Sequence, residues 1–247
     1  MQQTKDIMGM HVTVEISDGN VEKGCGLVFD YLKYIDETFS TYKPNSEISK
    51  INRGELVERQ YSPDMRKIFK LAEQTKRETH GYFDIYNPEG YIDPSGIVKG
   101  WAIWQASLML EREGYRHFFI DAGGDVQGRM IDQHSQPWRV GIRNPFNHQE
   151  IVKVLHITNQ GLATSGTYER GQHIYDPHEP GKNITDIVSL TVIGPNVYEA
   201  DRFATAAFAM GSAGINFVES LDGFEGYVID KAGIATLTTG FEQYVTN

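Results

Sequence analysis

One cysteine in 247 residues, Cys25, leaves the chain without an internal disulfide and without a thiolate zinc cluster. Long hydrophobic runs are missing too, and no stretch of 18 apolar residues offers a membrane-spanning helix. The first eight residues, Met1 to Met8, are polar and lack the apolar centre of a signal peptide. As written the chain therefore reads as cytoplasmic, although a trimmed export signal gives the same picture. Positive charge is scarce: 23 Lys and Arg against 33 Asp and Glu give a net charge of -10, which argues against nucleic acid or anionic membrane as a partner. A small anionic ligand held by a local cation or metal is still compatible. There is no Gly-x-Ser-x-Gly elbow for a serine hydrolase and no Gly-x-Gly-x-x-Gly turn for a dinucleotide-binding sheet. Repeats, low-complexity tracts and linkers are absent as well. A single domain over 1–247 is expected, built as two closely packed lobes, and its 40% hydrophobic content suffices for a sizeable core.

What is present alternates between two periods. Residues 11–16 place Val12, Val14 and Ile16 on one side, as in a strand with one buried face. Residues 21–39, a short segment capped by Ser46, and 63–80 behind Ser62-Pro63 carry helical spacing. A further helix runs over 96–113, with Ser95 as the expected N-cap and Ile97, Trp101, Trp104 and Leu108 as its apolar stripe. Strands are expected at 117–121, 126–131, 138–142, 151–157, 161–165, 173–177, 187–193, 226–230 and 233–237. Asn196 and Glu199 form a capping box for a helix through Met210. Strands in meanders with helices between them predict an α+β fold with a largely antiparallel sheet flanked by helices.

Three places carry chemistry. At Asp93-Pro94-Ser95-Gly96-Ile97-Val98-Lys99-Gly100, helix-start N–H groups, two glycines and a lysine suit either plain capping or an anion such as a phosphate. Asp201 and Thr205 lie four apart on the helix over 197–210 and so share a face. They read either as a solvated acid and a packing threonine or as oxygen ligands for Mg²⁺. His173 sits in a polar segment with Asp176 and is either a hydrogen-bonded structural histidine or a general base. The aromatic loop over 81–95, with Tyr82, Phe83 and Tyr86, is either a lid over a flat apolar ligand or a plug on the core.

Taken in order, these motifs resemble the ApbE family of FAD:protein FMN transferases. The resemblance rests on Met8-Gly9-Met10, Ser40-Thr41-Tyr42-Lys43-Pro44-Asn45-Ser46-Glu47-Ile48-Ser49-Lys50-Ile51-Asn52, Gly81-Tyr82-Phe83-Asp84 and the 93–100 segment. It continues through Gly123-Gly124-Asp125, Ala163-Thr164-Ser165-Gly166, His173-Ile174-Tyr175-Asp176-Pro177 and Glu199-Ala200-Asp201-Arg202-Phe203-Ala204-Thr205. It implies an ApbE-like fold and a Mg²⁺-dependent enzyme that cleaves FAD, moves FMN onto a Ser or Thr hydroxyl of a target protein and releases AMP. By the same resemblance the metal is held by the Gly96 carbonyl, Asp201 and Thr205. Residues matching Met8, Tyr42, Tyr82, Phe83, Asp84, Asp93, Lys99, Thr164 and Tyr175 approach the flavin and its phosphates, and His173 matches the base. The family's acceptor pattern, Asp-x-x-(Ser/Thr)-Gly-Ala-(Ser/Thr), does not occur here, so the implied target is a partner protein. A Mg²⁺-dependent FAD pyrophosphatase and a non-catalytic FAD-binding protein are the alternative readings.

Overall fold

Alternating side chains and tight turns build one eight-stranded sheet in the computed structural model, which describes residues 1–87, 89–130, 136–167, 174–179 and 183–245. Its strands are β1 (Gln2–Ile7), β2 (Met10–Ile16), β3 (Phe118–Ala122), β4 (Asp125–Arg129), β7 (Gly161–Gly166), β8 (Ile187–Gly194), β9 (Glu225–Asp230) and β10 (Ala235–Leu237), paired in that order. Strands β5 (Trp138–Arg143) and β6 (Ile151–Ile157) form a separate hairpin. Every strand pairing among the described residues is antiparallel. The helices are α1 (Val21–Phe39), α2 (Glu47–Asn52), α3 (Pro63–Glu78), α4 (Ser95–Arg112), α5 (Val197–Ala209) and α6 (Gly214–Glu219). The α+β fold with an antiparallel sheet is thus observed.

The period of two sorts the sheet's side chains. Ala163, Leu190, Val192 and Val228 point to the helical side and pack on Ala200, Ala204, Ala207 and Phe208 of α5. Their neighbours Leu162, Ile193, Tyr227 and Ile229 point the other way, onto Val140, Ile142, Leu155 and Ile157 of the β5–β6 hairpin. Strand β8 is covered on both faces, which is why its sequence is an almost unbroken apolar run. At the other end, Val12, Val14 and Ile16 of β2 pack with Phe29 and Leu32 of α1 and Trp101 of α4. The result for function is that α4 and α5 lie side by side over the middle of the sheet.

Several expectations are corrected. Residues 2–7, for which no strand was expected, form the edge strand β1; only Ile7 is buried, so no apolar alternation marks it. Helix α3 ends at Glu78 rather than at residue 80. Ser95 is the first residue of α4, not its cap; the Asp93 carboxylate accepts the Ser95 N–H instead, at 3.0 Å. The capping box of α5 is half made: Asn196 accepts the Glu199 N–H at 3.0 Å, but the Glu199 carboxylate turns to Arg202. Helix α6 lacked a sequence signal of its own. Residue 131 of the expected 126–131 strand, and residue 173 of the expected 173–177 strand, lie outside the described residues; within 174–179, Tyr175 makes a single bridge to Asn183.

Candidate active site

Two glycines let the site form. Gly96 and Gly100, one turn apart on α4, face Thr205 and Asp201, one turn apart on α5. A Cβ at Gly100 would come within 2.5 Å of the Asp201 Cβ and 2.7 Å of the Val197 carbonyl, so a larger residue there would force the helices apart. With glycine in place, the Gly100 N–H donates to Asp201 Oδ2 at 2.8 Å, and the Thr205 hydroxyl donates to the Gly96 carbonyl at 3.4 Å. A carbonyl, a hydroxyl and a carboxyl from distant parts of the chain thereby share one seam.

The seam is electrostatically tense. Asp201 is 4% exposed. Burial pushes its carboxyl well above the ordinary range and the neighbouring Asp125 carboxylate pushes it further, while Lys99 and the Gly100 N–H oppose both. Asp125, whose side chain is 1% exposed, sets Oδ2 2.7 Å from Lys99 Nζ and takes the Thr164 N–H on Oδ1 at 3.1 Å. The Thr164 hydroxyl in turn pairs with Thr191 Oγ1 at 2.9 Å. Asp121 is also raised, chiefly by burial; the Gly124 N–H resists this and Asp125 adds to it. In the sequence Asp125 stands out only as the end of the Gly123-Gly124-Asp125 motif, between two expected strands, and carries no site role. The visible signal was an acid directly after Gly123-Gly124, whose positive φ values of 62° and 92° make the tight β3–β4 turn that aims it inward.

This seam forms one wall of a cavity of about 660 Å³, within the usual range for small-molecule pockets. Of the residues singled out from sequence, Tyr82, Phe83, Asp84, Asp93, Gly96, Lys99, Thr164, Tyr175, Asp201 and Thr205 all line it. Met8 does not; its neighbours Gly9 and Met10 do, because Met8 (φ 58°) and Gly9 (φ 73°) are the two central residues of the β1–β2 turn. Tyr42 is 91% exposed and stays off the cavity wall. His173 lies outside the described residues, while the adjoining Ile174 and Tyr175 reach the cavity. His148, from the loop between β5 and β6, lines it without having been anticipated, since no spacing linked that loop to the other motifs.

The remaining contacts are structural. Asp84 pairs with Lys76 at 2.6 Å and accepts the Tyr86 N–H at 3.0 Å. The Tyr175 hydroxyl donates to the Tyr86 carbonyl at 3.4 Å, and the Tyr82 ring meets His178 edge-on at 4.6 Å. Residues 174–179 therefore dock on the aromatic loop. The expected collection of unpaired N–H groups at the start of α4 is mostly used up: Ser95 donates to Asp93, and Ile97 and Val98 both donate to the Pro94 carbonyl. Among the described residues no three His, Cys, Asp or Glu side chains converge as a metal cage. A cation at the seam would draw on carbonyl, hydroxyl and carboxylate oxygens and on its ligand's own oxygens, a donor set that fits Mg²⁺ and not zinc.

Comparison with known proteins follows the same lines. The model of the ApbE family matches residues 8–88 and 86–228. The chain is similar to the FAD:protein FMN transferase of Salmonella typhimurium, 29% identical over 180 residues, 69% of this chain and 51% of that one. It is also similar to the FAD:protein FMN transferase of Escherichia coli K12, 31% identical over 156 residues, 59% of this chain and 44% of that one. The matched part of the chain thus spans about half the length of these curated relatives. Among solved structures, the flavin transferase ApbE from Vibrio cholerae superposes with a TM-score of 0.81 at 19% identity, over 99% of this chain and 98% of that one. The ApbE protein from Thermotoga maritima gives 0.84 at 21% identity, over 100% and 99%. At such identities these likenesses show a shared fold.

Proposed function

The chain belongs to the ApbE family, and from that premise we propose that it is an FAD:protein FMN transferase. In this reading it is Mg²⁺-dependent, moves FMN from FAD to a Ser or Thr hydroxyl of a partner protein, and releases AMP. The observation that carries the reading is the meeting of Gly96 O, Asp201, Thr205 and Lys99 on the wall of a cavity that Tyr82 and Phe83 also line.

A pyrophosphate brings concentrated negative charge and an isoalloxazine brings a flat apolar ring, and the cavity lining offers charged and aromatic groups to each. Gly96, Asp201 and Thr205 would hold the Mg²⁺, which when bound neutralises the phosphates as charge moves to the leaving group. Lys99 adds a fixed cation beside them, and Tyr82 and Phe83 flank the ring. The acceptor hydroxyl oxygen attacks the flavin-side phosphorus. The bond from that phosphorus to the bridging oxygen breaks, the electron pair leaves with AMP, and the hydroxyl proton passes to His173. General base catalysis of this kind typically contributes about 10²–10⁴-fold.

The test is to mix the protein, FAD and Mg²⁺ with a domain carrying the Asp-x-x-(Ser/Thr)-Gly-Ala-(Ser/Thr) pattern and to read flavin fluorescence in a denaturing gel. A fluorescent acceptor band is expected. Free FMN and AMP with no labelled acceptor would mean a hydrolase, and unchanged FAD would mean a binding protein.

A further inference from the structure

Asp125 is the most enclosed carboxylate next to the phosphate wall, and neither the metal set nor the base needs it. It joins two parts of that wall. Oδ2 stands 2.7 Å from Lys99 Nζ, whose side chain is 21% exposed, and Oδ1 takes the N–H of Thr164, itself a cavity residue, at 3.1 Å. The chain enters Asp125 from the Gly123-Gly124 turn, which pairs Asp125 with Ala122 and fixes the carboxylate's direction.

We infer that Asp125 is a positioning residue for the reaction: it holds the Lys99 ammonium on the cavity wall, where FAD's phosphates meet it. The inference rests on the transferase reading for the identity of the anion. A lysine side chain has four rotatable bonds, and loss of the Asp125 carboxylate loosens it, so that anion binding must restore that order. Charge alone argues the opposite way, because deleting a carboxylate beside an anion site should tighten anion binding. The two effects therefore predict opposite signs.

The experiment measures FAD affinity by stopped-flow quenching of flavin fluorescence, with Mg²⁺ and without acceptor protein. The variants are Asp125→Asn, Lys99→Met and the double substitution. Asparagine keeps an oxygen for the Thr164 N–H and removes the charge that faces Lys99; the same charge also bears on Asp201 and Asp121, and the Lys99→Met background isolates the part that acts through Lys99. Asp125→Ser serves the same cycle if the asparagine variant does not fold. Asp125→Asn should weaken FAD binding about ten-fold, the scale of one charge-assisted contact, and should add nothing in the Lys99→Met background. Unchanged or tighter binding in Asp125→Asn would overturn the inference, because Asp125 would then be a bystander charge. So would a further loss in the double variant, because Asp125 would then act through the wall and not through Lys99. Wild-type protein that binds no FAD would instead remove the transferase reading, and this inference with it.

Discussion

Gly100 shows how a residue with no side chain decides where the chemistry sits. Substitution by alanine sets a methyl group against the Val197 carbonyl and the Asp201 Cβ, neither of which is a flexible chain end. Gly100→Ala should cost about 1–3 kcal/mol of stability through overpacking. Urea unfolding measures this, and a wild-type midpoint would show that the helices part freely. The Asp201–Thr205 pair was legible because helical period alone puts i and i+4 on one face. Gly96 was legible only through resemblance, since a carbonyl ligand leaves no side-chain signature. The Lys99–Asp125 pair was not legible at all. It joins residues on α4 and β4 that meet only once the helix is laid across the sheet, and an acid after two glycines marks a tight turn without naming the cation it will face. Tyr42 is the opposite case: its motif singled it out, and the structure holds it in solvent.

Helix α5 carries the site on one face and an anchor on the other. The Arg202 guanidinium is buried, bonded to Glu199 at 2.5 Å and also to Glu78 and Thr75, and it stacks on Phe203 at 3.9 Å. This ties α5 to the end of α3, the helix that leads into the aromatic loop. Arg202→Ala leaves two carboxylates facing each other without their cation. A loss of about 3 kcal/mol is expected, at the low end for a broken buried pair because Glu78 keeps part of its hydration. Denaturant unfolding tests it, and a change below about 0.5 kcal/mol would place the pair with surface salt bridges. At this scale the long helices and the inner strands were readable from period, and β1 was not. An edge strand has one ladder and little core contact, so Gln2 to Asp6 show no pattern. The start of α4 was misread by one residue because Asp93, held before Pro94, caps from outside the position usually inspected.

The whole molecule is an antiparallel sheet with helices on one face and a hairpin on the other, and its acid response follows from particular carboxylates. Burial pushes Asp186 up, but the backbone and side chain of Ser212 outweigh it and hold the carboxyl below its ordinary value. Burial likewise pushes Glu78 up, and hydrogen bonds from Gln74 and Arg202 outweigh it. Acids depressed on folding lend stability above the pKa they have when unfolded, and that stability is lost as pH falls through the lower folded value. Between about pH 6 and about pH 3 these two acids should therefore pull urea midpoints down, against Asp121 and Asp201, whose raised carboxyls act the other way, and the pull should be smaller in Asp186→Asn and Glu78→Gln. Equal slopes in all three proteins would assign the acid sensitivity to other groups. The overall architecture was legible because alternation and turn chemistry point to one fold class. The cavity was legible only through the family resemblance, because its walls come from separate stretches of the chain.

The proposed chemistry requires the oxygen donors of α4 and α5 to form one cation seat. Calorimetric titration of Mg²⁺ into the protein with FAD, in wild type and in Asp201→Asn, addresses it directly. One ion per chain is predicted for the wild type, with affinity at least about ten-fold lower in the variant while FAD remains bound. The same stoichiometry and affinity in both proteins would contradict it.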